Sequence, residues 1–178
     1  MKKLFLTLIL GCFALVGFSQ ARFDVKVGMS MTNITDSEGD MKVGYTVGLG
    51  IDYPINTNWA FQSGVMFTGK GAKYGDYKLN ATYLDIPLLA AFRAPIANDV
   101  NFVANAGPYL SCGIAGKDDY FTEDGLDAKR FDLGLQFGVG AEFGDILLNL
   151  TGQYGFINRY EVGDCKNVGF YITAGYRF

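Results

Sequence analysis

The chain has 178 residues, enough for one ordinary domain and too few for two. Its 15 Lys and Arg against 18 Asp and Glu leave a net charge of −3, which argues against nucleic acid as a partner. It contains no histidine, so the commonest general base and the commonest neutral metal ligand are both absent.

The first element is a leader. Lys2 and Lys3 precede an apolar run from Leu4 to Phe18, and Gly17-Phe18-Ser19 places small residues where a signal peptidase reads. This predicts a signal peptide over residues 1–19 and a mature domain over 20–178. The run is shorter than the ~20 residues a membrane helix needs. Ile9-Leu10-Gly11-Cys12 resembles a lipoprotein site only loosely, because Leu10 is bulky and the apolar run continues past Cys12. Cleavage removes two lysines and no acid, so the charge falls from −3 to −5 (13 − 18).

Beyond the leader the sequence alternates with a period of two, the mark of strands with two unlike faces. Phe23, Val25, Val27, Met29 and Met31 share the apolar face of the first strand, and Val43, Tyr45, Val47, Leu49, Ile51 and Tyr53 that of the second. Trp59, Phe61, Ser63, Val65 and Phe67 follow, then Leu84, Ile86, Leu88, Ala90 and Phe92, then Val100, Phe102, Ala104, Ala106, Pro108 and Leu110. The sixth strand alternates without a break from Phe131 to Phe143. Ile146, Leu148, Leu150, Tyr154 and Phe156 mark the seventh, and Val168, Phe170, Ile172, Ala174, Tyr176 and Phe178 the eighth. Connections alternate long (33–41, 69–78, 113–129, 158–167) and short (55–58, 93–99, 144–145), the pattern of a transmembrane barrel with short periplasmic turns.

A soluble eight-stranded barrel would alternate too, with its apolar face inward. Here the polar face is mostly Gly, Thr, Asn, Gln and Ser rather than Lys and Glu. Glycine weakens a solvent-facing strand, whereas a narrow barrel interior needs small residues. The apolar face also sorts its aromatics by height. Phe23, Tyr53, Trp59, Phe61, Phe92, Phe102, Phe143, Tyr176 and Phe178 all lie beside the short turns, as in an interfacial girdle. The predicted fold is all-β: an eight-stranded antiparallel up-and-down transmembrane β-barrel, placed in an outer membrane and contacting its lipid.

Tyr83-Leu84-Asp85-Ile86-Pro87-Leu88-Leu89, Gly107-Pro108-Tyr109-Leu110 and Phe131-Asp132 with Gly134, Gly138 and Gly140 resemble the PorT-like outer-membrane β-barrel domain family, a relative of the OmpA- and OmpX-like small barrels. The resemblance spans the mature chain. It implies no catalytic residue and no cofactor, and it implies that Phe178 hands the chain to the barrel assembly machinery.

The lumen-facing charges by alternation are Asp24, Lys26, Asp52, Asp85, Asp132, Glu142 and Arg177, with Arg93 near the rim. Buried charges are costly unpaired, so Lys26 and Arg177 should each meet acids in an ion-pair network; a narrow polar conduit is the other reading. Pro87 and Pro108 each remove a ladder hydrogen bond, so a bulge or bend is expected in this hairpin. The longest loop, Gly113–Lys129, carries Asp118, Asp119, Glu123, Asp124 and Asp127 without the spacing of a calcium loop, and no metal site is assigned. No serine is flanked by a plausible base, so no enzymatic role is read. Cys112 and Cys165 remain after cleavage, an even pair in an oxidising compartment and a candidate disulfide between two long loops. The expected function is a non-enzymatic integral outer-membrane protein, structural or holding a protein or glycan partner through its long loops. The alternative is a narrow pore or an accessory of a secretion apparatus.

Overall fold

The computed structural model describes residues 21–34, 40–70, 72–74, 77–78, 81–116, 122–123, 126–127, 131–157 and 166–178. The leader and most of the long connections lie outside them. Eight long strands form the barrel: β1 (Arg22–Ile34), β2 (Asp40–Pro54), β3 (Trp59–Lys70), β4 (Ala81–Ala97), β5 (Val100–Gly116), β6 (Phe131–Phe143), β7 (Ile146–Gly155) and β8 (Asn167–Arg177). Each pairs antiparallel with its neighbours in sequence, and β8 pairs with β1, which closes the ring. Two short ribbons, Ala72–Tyr74 with Tyr77–Lys78 and Thr122–Glu123 with Leu126–Asp127, stand on the long connections.

The register sets the bore. Positions in register around the ring run Arg22, Asp52, Gln62, Leu89, Gly107 (opposite Leu89 by the register on either side), Gln136, Gln153 and Gly169, and return to β1 at Thr32, ten residues beyond the start. Eight strands with that stagger leave an interior just wide enough for side chains to fill.

The two faces separate as the alternation requires, and their contents decide the surroundings. Leu49, Phe137, Leu150, Ile172 and Tyr176 point outward and are exposed, while Asp24, Asp52, Asp85, Asp132, Glu142 and Arg177 are buried inside. A soluble protein does not expose a continuous belt of this size. In lipid the same belt is the solvated face, and ring closure leaves no unpaired strand edge. The fully apolar interior is reduced to a small cluster of Ala60, Ala91 and Val103. The girdle sits beside the short turns, where Trp59 meets Phe92 edge-on with ring centroids 5.3 Å apart.

The turns have local causes. Asn56 Oδ1 accepts from the backbone N–H of Asn58 (2.9 Å) and of Trp59 (2.8 Å), an Asx turn that starts β3. Gly144 takes φ 59°, as the first position of a two-residue hairpin of this hand requires. Asp99 also takes φ 59°, and its carbonyl accepts from Gly144 N–H at 2.9 Å. Consequently β4 runs to Ala97, and the connection expected over 93–99 shrinks to two residues.

The irregularity expected in the β4–β5 hairpin is present, but away from the two prolines. The register is unchanged across Pro87 and Pro108, and it shifts instead between Thr82 and Tyr83 and between Pro95 and Ala97, near the two ends of the hairpin. Pro108 points outward, and Pro87 stays opposite Tyr109 while its pairing to β3 lapses, so each missing donor is absorbed without an inserted residue.

Candidate functional site

The lumen is the only place where the chain concentrates chemistry among the described residues, and it is layered. Near the short turns, Asp52 (β2), Arg93 (β4), Glu142 (β6) and Arg177 (β8) meet inside the barrel. Arg93 Nε donates to both Glu142 oxygens at 3.0 Å and its Nη2 to Asp52 Oδ2. Arg177 Nη2 donates to Glu142 Oε1 at 2.7 Å and stands 4.0 Å from Asp52 Oδ2. Gln62 adds a donor to Asp52 Oδ2 at 2.9 Å. Two acids and two bases from four strands thus form a neutral, buried seal. Arg93, placed near the rim by sequence, is one of its central members. Asp24 and Lys26 pair beside it at 3.1 Å, an ionic contact without hydrogen-bond alignment, since Asp24 Oδ1 has no hydrogen-bonding partner.

Near the long loops lies a second layer built around a residue that sequence reasoning assigned to a loop. Lys70 ends β3 and points inward, with its ammonium 2.8 Å from Asp85 Oδ1, 3.1 Å from Ser111 Oγ and 3.3 Å from Gln153 Oε1. It also lies over the rings of Tyr83 and Tyr109, 5.2 and 5.3 Å from their centroids. The signal was present: Ala60, Gln62, Gly64, Met66 and Thr68 continue by twos to Lys70.

Asp132 closes the far side of this layer. Its Oδ2 accepts from Tyr109 Oη (3.1 Å) and Asn167 Nδ2 (3.0 Å), while Oδ1 has no hydrogen-bond partner. Glycine makes room for it, because a Cβ at Gly155 would fall 2.7 Å from Asp132 Oδ2.

Between the layers is a chamber of about 80 Å³ lined by Gln62, Met66, Asn105, Gln136, Thr151 and Arg177, among others. That volume holds several waters. Asn105 Oδ1 and Arg177 Nε lack protein partners and are the atoms such waters would satisfy.

Among the described residues the one nucleophile beside an amine is not arranged for activation. Ser111 and Lys70 have the look of a nucleophile beside an amine, but Ser111 Oγ donates to Asp85 and the ammonium has an acceptor for each of its three N–H bonds. A serine held as donor to a carboxylate, beside an amine engaged on all three sides, lacks the free base that activation of a nucleophile requires. Among the described residues no group of three His, Cys, Asp or Glu is placed to hold a metal. Cys112 is a free, exposed thiol on the outward face of β5; its candidate partner Cys165 lies outside the described residues, as does most of the acidic loop 117–130.

Residues 14–161 match the family described as outer membrane protein beta-barrel domain. The chain belongs to that family. Its membership fixes the surroundings of the exposed belt as an outer membrane. Solved structures with the same fold include Neisserial surface protein A (TM-score 0.59, 14% identity, 90% of this chain and 98% of that one). The outer membrane enzyme PagL matches at TM-score 0.58 and 10% identity, over 86% of this chain and 98% of that one. The attachment invasion locus protein Ail of Yersinia pestis, crystallised with the heparin analogue sucrose octasulfate, matches at TM-score 0.50 and 16% identity, over 89% and 99%. At these identities the likeness is one of fold alone, and since one of the three is an enzyme, the fold does not decide the activity. No curated protein matches the chain.

Proposed function

We propose that this family member is a non-enzymatic outer-membrane protein whose work is done at its long loops, outside the cell, as a structural or partner-binding element. The observation that carries this reading is the double closure of the lumen: a seal of Asp52, Arg93, Glu142 and Arg177 at one end and the Lys70 layer at the other. A barrel filled in this way is a stiff pedestal rather than a conduit. The loops it carries are mostly acidic in two cases, with Asp36 and Glu38 in one and Asp118, Asp119, Glu123, Asp124 and Asp127 in another. Such loops suit a partner with a basic surface and disfavour a polysulfated glycan of the kind Ail was crystallised with.

The mature chain is taken to begin after a signal peptide of residues 1–19, with Phe178 as the residue that addresses it to the assembly machinery. Within the family, the Tyr83–Leu89 segment supports the PorT-like branch, and a role beside a secretion apparatus belongs to that assignment. Recording from planar bilayers containing the refolded protein tests the central reading. Silence is expected, and stepwise conductance would replace the pedestal by a pore.

A further inference from the structure

The Lys70 layer has a property that a simple ion pair lacks. Every wall around the ammonium comes from strands other than β3. Asp85 and Tyr83 belong to β4, Ser111 and Tyr109 to β5, and Gln153 to β7. All five are buried. The walls also hold one another. Ser111 donates to Asp85, Tyr171 Oη donates to Gln153 Oε1 at 2.7 Å, and Gln153 Nε2 donates to Gln136 at 2.9 Å. One carboxylate, one hydroxyl, one carboxamide oxygen and two aromatic faces therefore converge on a point, positioned without help from Lys70. That set matches a primary ammonium: three acceptors for three N–H bonds, and π faces for the remaining positive surface.

We propose that the outer half of the lumen is a binding cup for a small primary-ammonium cation, and that Lys70 is its tethered occupant. The cup is blind. Asp85 and Gln153 form part of the roof of the 80 Å³ chamber, and beneath the chamber the Asp52–Arg93–Glu142–Arg177 seal closes the barrel. An untethered occupant therefore enters and leaves on the long-loop side. A quaternary ammonium has no N–H for the three acceptors, and a guanidinium is planar where the cup is built around one nitrogen. Both fit worse than a primary amine. Because Lys70 is the last residue of β3, directly before the long connection to β4, the occupant is anchored to the loop system itself.

The test removes the tether and offers the free ligand. Lys70→Ala protein, refolded in detergent micelles, is heated in methylammonium, tetramethylammonium or sodium chloride at equal ionic strength. Loss of the compact electrophoretic band gives the midpoint. The variant should melt below wild type, and methylammonium should restore at least half of the loss, saturably, while the other two salts restore none. Wild type, with its cup filled, should not respond. Adding Asp85→Asn should abolish the rescue. Where Lys70→Ala does not refold alone, the refolding yield against methylammonium concentration reads the same binding. Absence of rescue, equal rescue by tetramethylammonium, or rescue that survives Asp85→Asn would each overturn the cup. The blind floor is tested separately: Lys70→Ala should remain silent in a planar bilayer, and conductance that appears only in this variant would show the floor to be open while leaving wild-type closure intact.

Discussion

Glu142→Gln is the sharpest probe of the inner seal. The carboxylate accepts from Arg93 Nε with both oxygens, lies 3.0 Å from Arg93 Nη2, accepts from Arg177 Nη2, and is 4% exposed. The amide is nearly isosteric, so the change isolates charge. It leaves two guanidinium groups in a narrow interior with Asp52 as the only acid in contact with both. Removing one member of a buried ion pair typically costs about 3–5 kcal/mol, and that range is expected here. The reasoning has a second arm. Arg177→Met alone should also destabilise, but combined with Glu142→Gln it leaves Asp52 and Arg93 as a neutral pair. The double variant should then cost less than the sum of the singles by at least about 1 kcal/mol. Urea unfolding in lipid vesicles, followed by band shift, measures all four proteins. A Glu142→Gln effect below about 1 kcal/mol, or strict additivity, would refute the picture of a coupled seal.

Unboiled and boiled samples should migrate differently in SDS gels, because a ring without edges opens only on heating; identical mobility would exclude closure. Leu135→Arg, on the lipid face of β6, should cost about 2–4 kcal/mol, and Phe143→Arg in the girdle about 0–1 kcal/mol, so equal costs in vesicle unfolding would mean that this face does not meet lipid. Gly144→Ala should lower stability by about 1–2 kcal/mol through its left-handed backbone, where the added Cβ meets no neighbouring atom, and an unchanged unfolding midpoint would count against that turn. Lys26→Met should cost about 1–3 kcal/mol, because it strands the Asp24 carboxylate, whose side chain is 3% exposed and whose Oδ1 has no hydrogen-bond partner; an unchanged unfolding midpoint would show that the pair contributes nothing.

The fold was legible because lipid and lumen impose opposite demands on alternate residues, so faces, strand number and girdle follow from a period of two. Position around the ring was not legible. Arg93 and Glu142 are 49 positions apart in sequence, and only the stagger of eight strands brings them together. Strand ends were the other blind spot. Lys70 was hidden because the Gly, Lys, Tyr and Asp residues after it read as loop, although its parity with Thr68 pointed inward. Pro87 and Pro108 pointed to an irregular hairpin, and the hairpin is irregular, but the shifts fall at Thr82–Tyr83 and Pro95–Ala97 rather than at the prolines the sequence drew the eye to.

The seam between β1 and β8 has a consequence for how the protein is made. Val25 lies opposite Tyr176, and Phe178 N–H donates to Phe23 carbonyl at 2.9 Å, so the first and last strands of the barrel are hydrogen-bonded to each other. No shorter chain emerging during synthesis can close the ring. Until the last strand arrives, the first one has an open edge, and an open edge is not tolerated in hydrocarbon. The whole polypeptide must therefore cross the inner membrane and wait in an unclosed form, so a nonsense codon anywhere before β8 produces an aggregation hazard rather than a smaller barrel.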